Sequence, residues 1–383
     1  MPSDNPLKIG LVLDTSLDPM DGVQQYLVSI GEWLRGQGHD VRYLVGQTEQ
    51  RALPGIHSLA RNIGVRFNGN RTTIPLPVSR KKLKQFLQTE QFDVLHVQIP
   101  HSPFMSQRMI LEAPKTTAII GTFHIAPYSR LVQAGNLALG VWLRKSLKQF
   151  DQIVSVSRVA QSFAKKTFRV ESIVLPNVID YPLFHDAKPL SKYDDGTTTI
   201  LFLGRLVPRK GCKLLLEAVA RLQKQTDLPK FRVVICGKGP LLAKLQSYVK
   251  DHKLSEVVEF VGFVEEADKP RYYASADIAV FPSSGGESFG IVLLEAMASG
   301  KAAVLAGDNP GYRSVMEPRA AQLFNPHKAS ELAAKLELLL RDDAARQADA
   351  QWGEGYTQGF DIKHVGAELV KIYRQALHKR RQT

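Results

Sequence analysis

The stretch Thr199-Ile200-Leu201-Phe202-Leu203-Gly204-Arg205-Leu206-Val207-Pro208-Arg209-Lys210-Gly211-Cys212 decides the fold class. Its first residues form a short apolar run suited to a buried strand. A loop bracketed by Gly204 and Gly211 follows, and residues 212–225 then carry Leu215, Leu216, Val219 and Leu222 at helical spacing. Strand, loop and helix in that order open a βαβ unit. The alternation continues downstream with a strand over 231–236, a helix over 241–251 and strands over 257–261, 278–281 and 302–305. Upstream, strands are expected over 8–14, 41–45, 92–97, 117–121, 151–156 and 172–175. A helix over 23–37 (Val23, Leu27, Ile30, Leu34) and a helical stretch over 106–112 lie between them. Such a chain is α/β, with parallel sheets. The rhythm breaks over 180–198, which holds Pro182, Pro189 and a polar run, and this segment reads as a linker. The expected organisation is a Rossmann-like domain over 1–180, a linker over 181–198 and a second Rossmann-like domain over 199–361. The two domains would face each other across a crevice. An amphipathic helix over 362–377 closes the chain, with Lys379, Arg380 and Arg381 suited to its carboxyl end.

The size of the chain, 383 residues, fits two domains, and 44% hydrophobic with 23% charged residues is a globular balance. Disordered, collagenous and coiled-coil classes are excluded. The two cysteines, Cys212 and Cys236, fall in elements expected to be buried. A disulfide framework is thereby excluded, and a reducing compartment fits. The start of the chain lacks the charged-then-apolar order of a signal peptide, and the apolar run 137–143 is far shorter than the ~20 residues of a membrane span. The expectation is a soluble protein or one peripheral on a membrane. A net charge of +13 suits an anionic partner, whether nucleic acid, anionic lipid or a phosphorylated substrate, or else a solvated surface.

Ligands of open α/β sheets bind at the carboxyl ends of the strands. The basic loop with Arg205, Arg209 and Lys210 lies at such an end, beside a helix start, and suits a diphosphate. A second constellation is Gly285-Gly286-Glu287-Ser288-Phe289-Gly290-Ile291-Val292-Leu293-Leu294-Glu295. Glu287 precedes a helix and Glu295 lies about two turns inside it, near the same face. The amides of Phe289, Gly290 and Ile291 are free to meet an anion. Glu295 sits in an otherwise apolar helix and needs a partner, which a ribose diol would supply. Gly22, before the first helix, permits close backbone approach, and His124 ends a strand. Gly237-Lys238-Gly239-Pro240 resembles a dinucleotide fingerprint but has Leu242 at its third glycine position, so a nicotinamide site is rejected. No Asp-x-Asp, His-Glu-x-x-His or Cys-x-x-Cys occurs. The stretch 79–87 places Leu83, Phe86 and Leu87 on one helical face and Arg80, Lys81, Lys82 and Lys84 around the rest. It fits adsorption to anionic lipid, or an ordinary solvated face over a small apolar contact.

Taken in order, these motifs resemble those of the retaining glycosyltransferases of the GT-B fold, family 4 or group 1. Within them the likeness runs to the actinobacterial phosphatidylinositol mannosyltransferases that use GDP-mannose. The likeness also takes in Asp21-Gly22-Val23-Gln24, Phe92-Asp93-Val94-Leu95-His96, Thr122-Phe123-His124 and Pro176-Asn177. The resemblance implies two facing Rossmann-like domains with the active site in the cleft between them, and a last helix, 362–379, crossing back onto the first domain. It implies that Arg205 and Lys210 grip the donor diphosphate and Glu295 takes the ribose hydroxyls. Glu287 and the amides of Phe289, Gly290 and Ile291 would hold sugar and phosphate, with Gly22 beside the diphosphate. His124 would lie by the anomeric centre and Gln24 by the acceptor hydroxyl. Arg80, Lys81, Lys82 and Lys84 would meet the membrane. The implied partners are a nucleotide-sugar donor, an anionic phospholipid surface and a lipid acceptor. No obligatory cofactor, nucleic acid or stable protein partner is expected, and a need for magnesium is left open. The implied location is cytoplasmic, peripheral on the inner face of the cell membrane. Departures are Asp21-Gly22 where the family has paired glycines, Asn177-Val178-Ile179-Asp180 where it has Asn-Gly-Val-Asp, and Thr15 where it has an aromatic residue. The rival readings are a UDP-sugar donor with a different lipid or soluble acceptor, and, from another class, a basic nucleic-acid-binding protein. No aromatic residues interleave with the basic cluster as stacking platforms would require.

Overall fold

The computed structural model describes residues 5–18, 22–50, 52–67, 70–124 and 130–382. The chain forms two compact units, one of Met1–Val178 with Ile362–Thr383 and one of Ile179–Asp361.

The first unit contains β1 (Lys8–Leu13), β2 (Asp40–Val45), β3 (Ile56–Ser58), β4 (Asn62–Phe67), β5 (Asn70–Pro75), β6 (Val94–Gln98), β7 (Ala118–Phe123), β8 (Gln152–Ser155) and β9 (Ile173–Val174). Seven of these make one parallel sheet in the order β3-β2-β1-β6-β7-β8-β9, and β4 and β5 pair apart as an antiparallel hairpin. Its helices before the crossing are α1 (Gly22–Gly36), α2 (Arg80–Glu90), α3 (Met105–Glu112), α4 (Arg130–Trp142), α5 (Arg144–Leu147) and α6 (Arg158–Phe163), the last running into a π-turn over Ala164–Phe168. The central strands are nearly all apolar because both faces of the sheet are covered. On β1 the faces separate with period two: Ile9, Leu11 and Leu13 join the core under α1, whereas Val12 joins the core under α2 and α3.

The second unit contains α7 (Tyr181–His185), β10 (Thr198–Leu203), α8 (Cys212–Leu222), β11 (Phe231–Cys236), α9 (Leu242–Asp251), β12 (Val258–Gly262), α10 (Lys269–Ala274), β13 (Ile278–Phe281), α11 (Ile291–Ala298), β14 (Ala303–Gly307), α12 (Pro310–Met316), β15 (Leu323–Phe324), α13 (Ala329–Arg341) and α14 (Asp343–Thr357). Its sheet is parallel in the order β12-β11-β10-β13-β14-β15. The segment expected to be a linker is part of this unit. Phe184 of α7 is buried with its ring 6.0 Å from that of Tyr273, Tyr193 is buried, and Leu190 donates its amide to Ser275 Oγ at 2.7 Å. Prolines and polar residues there mark a tight path over the unit, not a tether. Both cysteines are free and buried, and burial pushes each thiol up to about 12.

The chain then returns as α15 (Ile362–Gln382), which packs on the first unit. Ile362, Val365, Leu369, Tyr373, Ala376 and Leu377 enter the same core as Ile9, Leu11 and Leu27. Tyr373 Oη lies 2.7 Å from His96 Nδ1, Arg380 pairs with Asp151 at 2.7 Å, and Arg381 pairs with Asp93 at 3.1 Å. Leu369 is fully buried, so Leu369→Ala is expected to destabilise the first unit by about 2–5 kcal/mol. The check is the urea unfolding transition of that unit. A midpoint unchanged from the native chain would mean that α15 adds nothing to its core.

Candidate functional site

In the second unit β10 and β13 are neighbours, but their crossovers run to opposite sides of the sheet, α8 leading to β11 and α11 to β14. That divergence opens a crevice at the carboxyl ends of the two strands. Residues 204–211 follow β10 and residues 282–290 follow β13, and the two loops are tied together. The amide of Ser284 donates to the Arg209 carbonyl at 2.9 Å. Gly211 holds φ +74°, and a Cβ there would fall 2.0 Å from the Pro282 carbonyl oxygen, so only glycine lets the loops close this far.

Glu287 occupies the junction. Its Oε1 accepts from Lys210 Nζ at 2.9 Å, Arg209 Nη1 at 2.8 Å and Ser283 Oγ at 2.7 Å. Burial pushes the carboxyl up, but Lys210, Arg209 and the Ser283 hydroxyl outweigh it, and the group stays below its ordinary value and charged. Two cations against one carboxylate leave a surplus positive charge where the loops meet. Arg205 stands at the head of the same basic loop. The first-turn amides of α11 follow Glu287 closely in sequence, after Gly290 at φ +119° and the buried Phe289. Glu295 is 1% exposed inside α11, and Tyr273 Oη donates to it at 3.1 Å. Burial, and then the neighbouring Glu295 charge, push the Tyr273 phenol well above its ordinary value, so it remains a donor. Tyr273 is thus one partner of the buried Glu295 within the protein.

Of the residues singled out in the sequence, Lys210 and Glu287 are brought into contact. Arg209 completes the cluster but had no role of its own in that reading, although it stood in the same Pro208-Arg209-Lys210 run. The Gly237-Lys238-Gly239-Pro240 turn, set aside as a nucleotide motif, clamps the basic loop instead: Leu206 donates its amide to the Lys238 carbonyl at 3.0 Å.

The first unit offers a second cluster where β1, β6 and β7 end. His124 is 3% exposed, with Nε2 2.6 Å from Gln98 Oε1 and the Tyr26 ring 4.9 Å away edge-on. Burial drives its pKa down to about 3, so it is neutral at physiological pH. With Nε2–H donated to Gln98, Nδ1 keeps its lone pair. His96 lies between Tyr373 and Thr122 and is likewise driven down to about 3 by burial. His101 stacks on Phe123 and touches Phe163 and Phe168; its Nδ1 has no partner, and burial lowers it to about 4. Asp14, absent from the sequence reading, ends β1 fully buried. It accepts from Ser102 Oγ at 2.6 Å and from the Ser106 amide and hydroxyl at 2.7 and 2.9 Å, which fixes the loop after β6. Burial nevertheless raises its pKa. A lone aspartate closing an apolar strand gave no signal beyond that of a turn.

Two of the elements singled out in the sequence also carry internal contacts. Gln24 is 7% exposed, and its amide nitrogen donates to the Ser16 carbonyl at 3.2 Å and to Thr15 Oγ1 at 3.4 Å. It braces the loop after β1. Gly22 opens α1, and Asp21 lies outside the described residues. On α2 the apolar face is spent inside the protein: Leu83 and Leu87 are buried in the core with Phe92 and Met109, and Phe86 packs against it. Arg80, Lys81, Lys82 and Lys84 remain exposed, so this helix has charge to offer a membrane but no apolar face to insert. Among the described residues no helix is long and apolar enough to cross a membrane, and no group of His, Cys, Asp and Glu is placed to hold a metal ion.

Two doubly wound parallel sheets in one chain, the second with cations at its switch point, define the GT-B architecture. Residues 186–356 match the family model described as glycosyl transferases group 1, and residues 20–181 match that of glycosyltransferase family 4. The chain is 31% identical over 371 residues to a phosphatidyl-myo-inositol mannosyltransferase of Mycolicibacterium smegmatis, covering 96% of this chain and 93% of that protein. It is 30% identical over 377 residues to the Mycobacterium tuberculosis protein of that name, covering 96% of each. A glycosyltransferase structure from Rickettsia africae shares the fold, with a TM-score of 0.72 at 16% identity over 97% of this chain and 99% of that one. The chain belongs to the group 1, family 4 glycosyltransferases and is an enzyme of that kind.

Two outcomes follow from the geometry. Lys210→Ala should lower turnover by about two to three powers of ten, the scale for losing one charge-stabilising donor; near-native turnover in a folded variant would remove Lys210 from the site. Acid should weaken the first unit. Unfolded histidines take protons near pH 6.5, whereas His96, His101 and His124 in the folded unit take them only near 3 to 4. The unfolded state therefore binds more protons below about pH 6.5, and stability falls as pH drops from there. His101→Phe removes a buried, unpaired nitrogen from an aromatic nest, so it should fold without loss and flatten this dependence. The measurement is the urea midpoint against pH for both proteins; an unchanged slope in the variant would show that His101 does not titrate as described.

Proposed function

We propose that the enzyme transfers mannose from GDP-mannose, with retention of anomeric configuration, to an inositol hydroxyl of a phosphatidylinositol-type lipid at an anionic membrane surface. The observation that carries this reading is the full-length likeness to proteins named phosphatidyl-myo-inositol mannosyltransferases, joined to a surplus cation at the carboxyl edge of a doubly wound sheet.

As the bond between sugar and phosphate breaks, negative charge gathers on the departing diphosphate. Lys210 and Arg205, with the first amides of α11 at Phe289, Gly290 and Ile291, stabilise that charge where water is excluded. Glu287 keeps Lys210 and Arg209 extended and aligned until the donor arrives, so little reorganisation is needed at the moment of reaction. Glu295 accepts from the ribose hydroxyls, its second lone pairs held in line by Tyr273. His124, neutral and oriented by Gln98, presents the Nδ1 lone pair to a substrate hydroxyl. The departing phosphate oxygen takes the acceptor proton on the face it leaves, which retains configuration and requires no side-chain base. No metal or other cofactor is assigned to the step. Gly22 leaves the backbone at the start of α1 open to the ligand, and Gln24 acts through the loop it braces. Arg80, Lys81, Lys82 and Lys84 draw the enzyme to anionic lipid on the cytoplasmic side at about 1 kcal/mol per charge.

The test pairs GDP-, UDP- and ADP-sugars with phosphatidylinositol in vesicles and with soluble inositol phosphates, reading release of the nucleoside diphosphate. GDP-mannose with the lipid is expected to be fastest by at least about tenfold. A preference for UDP- or ADP-sugars would overturn the donor, and equal rates on soluble acceptors would overturn the lipid.

A further inference from the structure

The apolar residues that α2 fails to offer are found elsewhere on the first unit. Among the described residues, the most exposed large hydrophobic side chains are Val141 at 77% and Trp142 at 67%, both on the last turn of α4, with Leu137 a turn earlier at 49%. Ala138 is also exposed. On a helix these four positions span an arc of about 140°. The rotation that turns them outward is fixed from behind. Gly140 is buried so closely on the π-turn that a Cβ would lie 3.0 Å from the Thr167 carbonyl oxygen, and Leu143 is buried as well. The helix cannot roll to hide Val141 and Trp142 without breaking that contact.

The charges that flank the patch along the chain have one sign. Arg144, Lys145 and Lys148 follow it directly and are exposed, and no acidic residue occurs between Arg130 and Phe150. Ser146 of α5 hydrogen-bonds Gln107 of α3, and α3 shares its core with Leu83 and Leu87 of α2. The cations after α4 and those of α2 thus belong to one helical layer on one face of the sheet. A tryptophan and aliphatic side chains followed directly by arginine and lysines match the boundary between acyl chains and anionic headgroups. A second copy of the chain fits poorly, because symmetric pairing would bring like charges together.

We propose that the end of α4 is the membrane-inserting element of this enzyme: Leu137, Val141 and Trp142 enter the acyl boundary of an anionic bilayer while Arg144, Lys145 and Lys148 bind its headgroups. The proposal rests on the reading of a membrane-held acceptor. It divides the labour of docking, with α2 supplying attraction and α4 supplying depth.

The experiment uses the intact enzyme and vesicles of phosphatidylcholine with phosphatidylglycerol, free of inositol lipid and donor, so a wrong substrate assignment leaves its readout untouched. Val141→Ser/Trp142→Ser should lower vesicle partitioning by at least about tenfold, since two large apolar side chains no longer leave water. Tryptophan emission of the wild type should shift to the blue on vesicle addition and be quenched by lipids brominated on their tails; both changes should vanish in Trp142→Phe. Quenching of the wild type decides the matter even if a variant folds poorly. Partitioning unchanged in a folded double variant, emission indifferent to brominated lipid, or a lipid-free dimer that the double variant converts to monomer would each overturn the proposal.

Discussion

One largely buried carboxylate organises the second unit. Glu287 lies at the one place in the sheet where neighbouring strands send their loops to opposite faces, and burial makes its charge costly. Lys210 and Arg209 from one loop and Ser283 from the other remove that cost, and in doing so they bind the loops together. Everything nearby serves the same closure: Gly211 yields space to the Pro282 carbonyl, Ser284 bonds back to Arg209, and the 237–240 turn clamps the loop from its far side. The arrangement carries more positive than negative charge, which keeps it ready for an anion while both cations remain anchored on Glu287.

The first unit solves the same problem with mostly uncharged groups. At its strand ends the polar side chains are buried histidines held uncharged, amides, hydroxyls and an aspartate with three hydrogen bonds. A neutral, oriented cluster suits hydroxyl-bearing ligands, whereas a cationic one suits phosphates, and this contrast matches the division between sugar or polyol and nucleotide proposed above. The last helix adds a structural dependence, because Tyr373 reaches His96, which in turn reaches Thr122, two residues before His124. The order of the strand ends is thereby tied to the final residues of the chain.

Much of this was legible in the sequence because period-two and period-3.6 patterns, glycine and charge act locally. The strand before Gly204, the helix after Gly211 and the amphipathic last helix follow from such short-range rules; the basic loop and Glu287 were each legible, but their pairing across the sheet was not. What was not legible depends on packing. Nothing local distinguishes the 180–198 segment, folded onto Tyr273 and Ser275, from a tether of the same composition. Whether Leu83, Phe86 and Leu87 face lipid or core is settled only by α3 lying alongside them, and the outward turn of Val141 and Trp142 is settled by a contact of Gly140 with residues more than twenty positions away. Asp14 and Gln98 carried no motif; their roles arise from loops brought together by the sheet order.

The most direct test is a calorimetric comparison of a nucleoside diphosphate, the matching monophosphate and the free nucleoside on the wild-type enzyme across salt concentrations. If the loops joined at Glu287 hold the donor diphosphate, the diphosphate should bind at least about tenfold more tightly than the monophosphate, with the advantage shrinking as salt screens the surplus cation. Equal affinities for the two phosphates at every ionic strength would contradict that assignment.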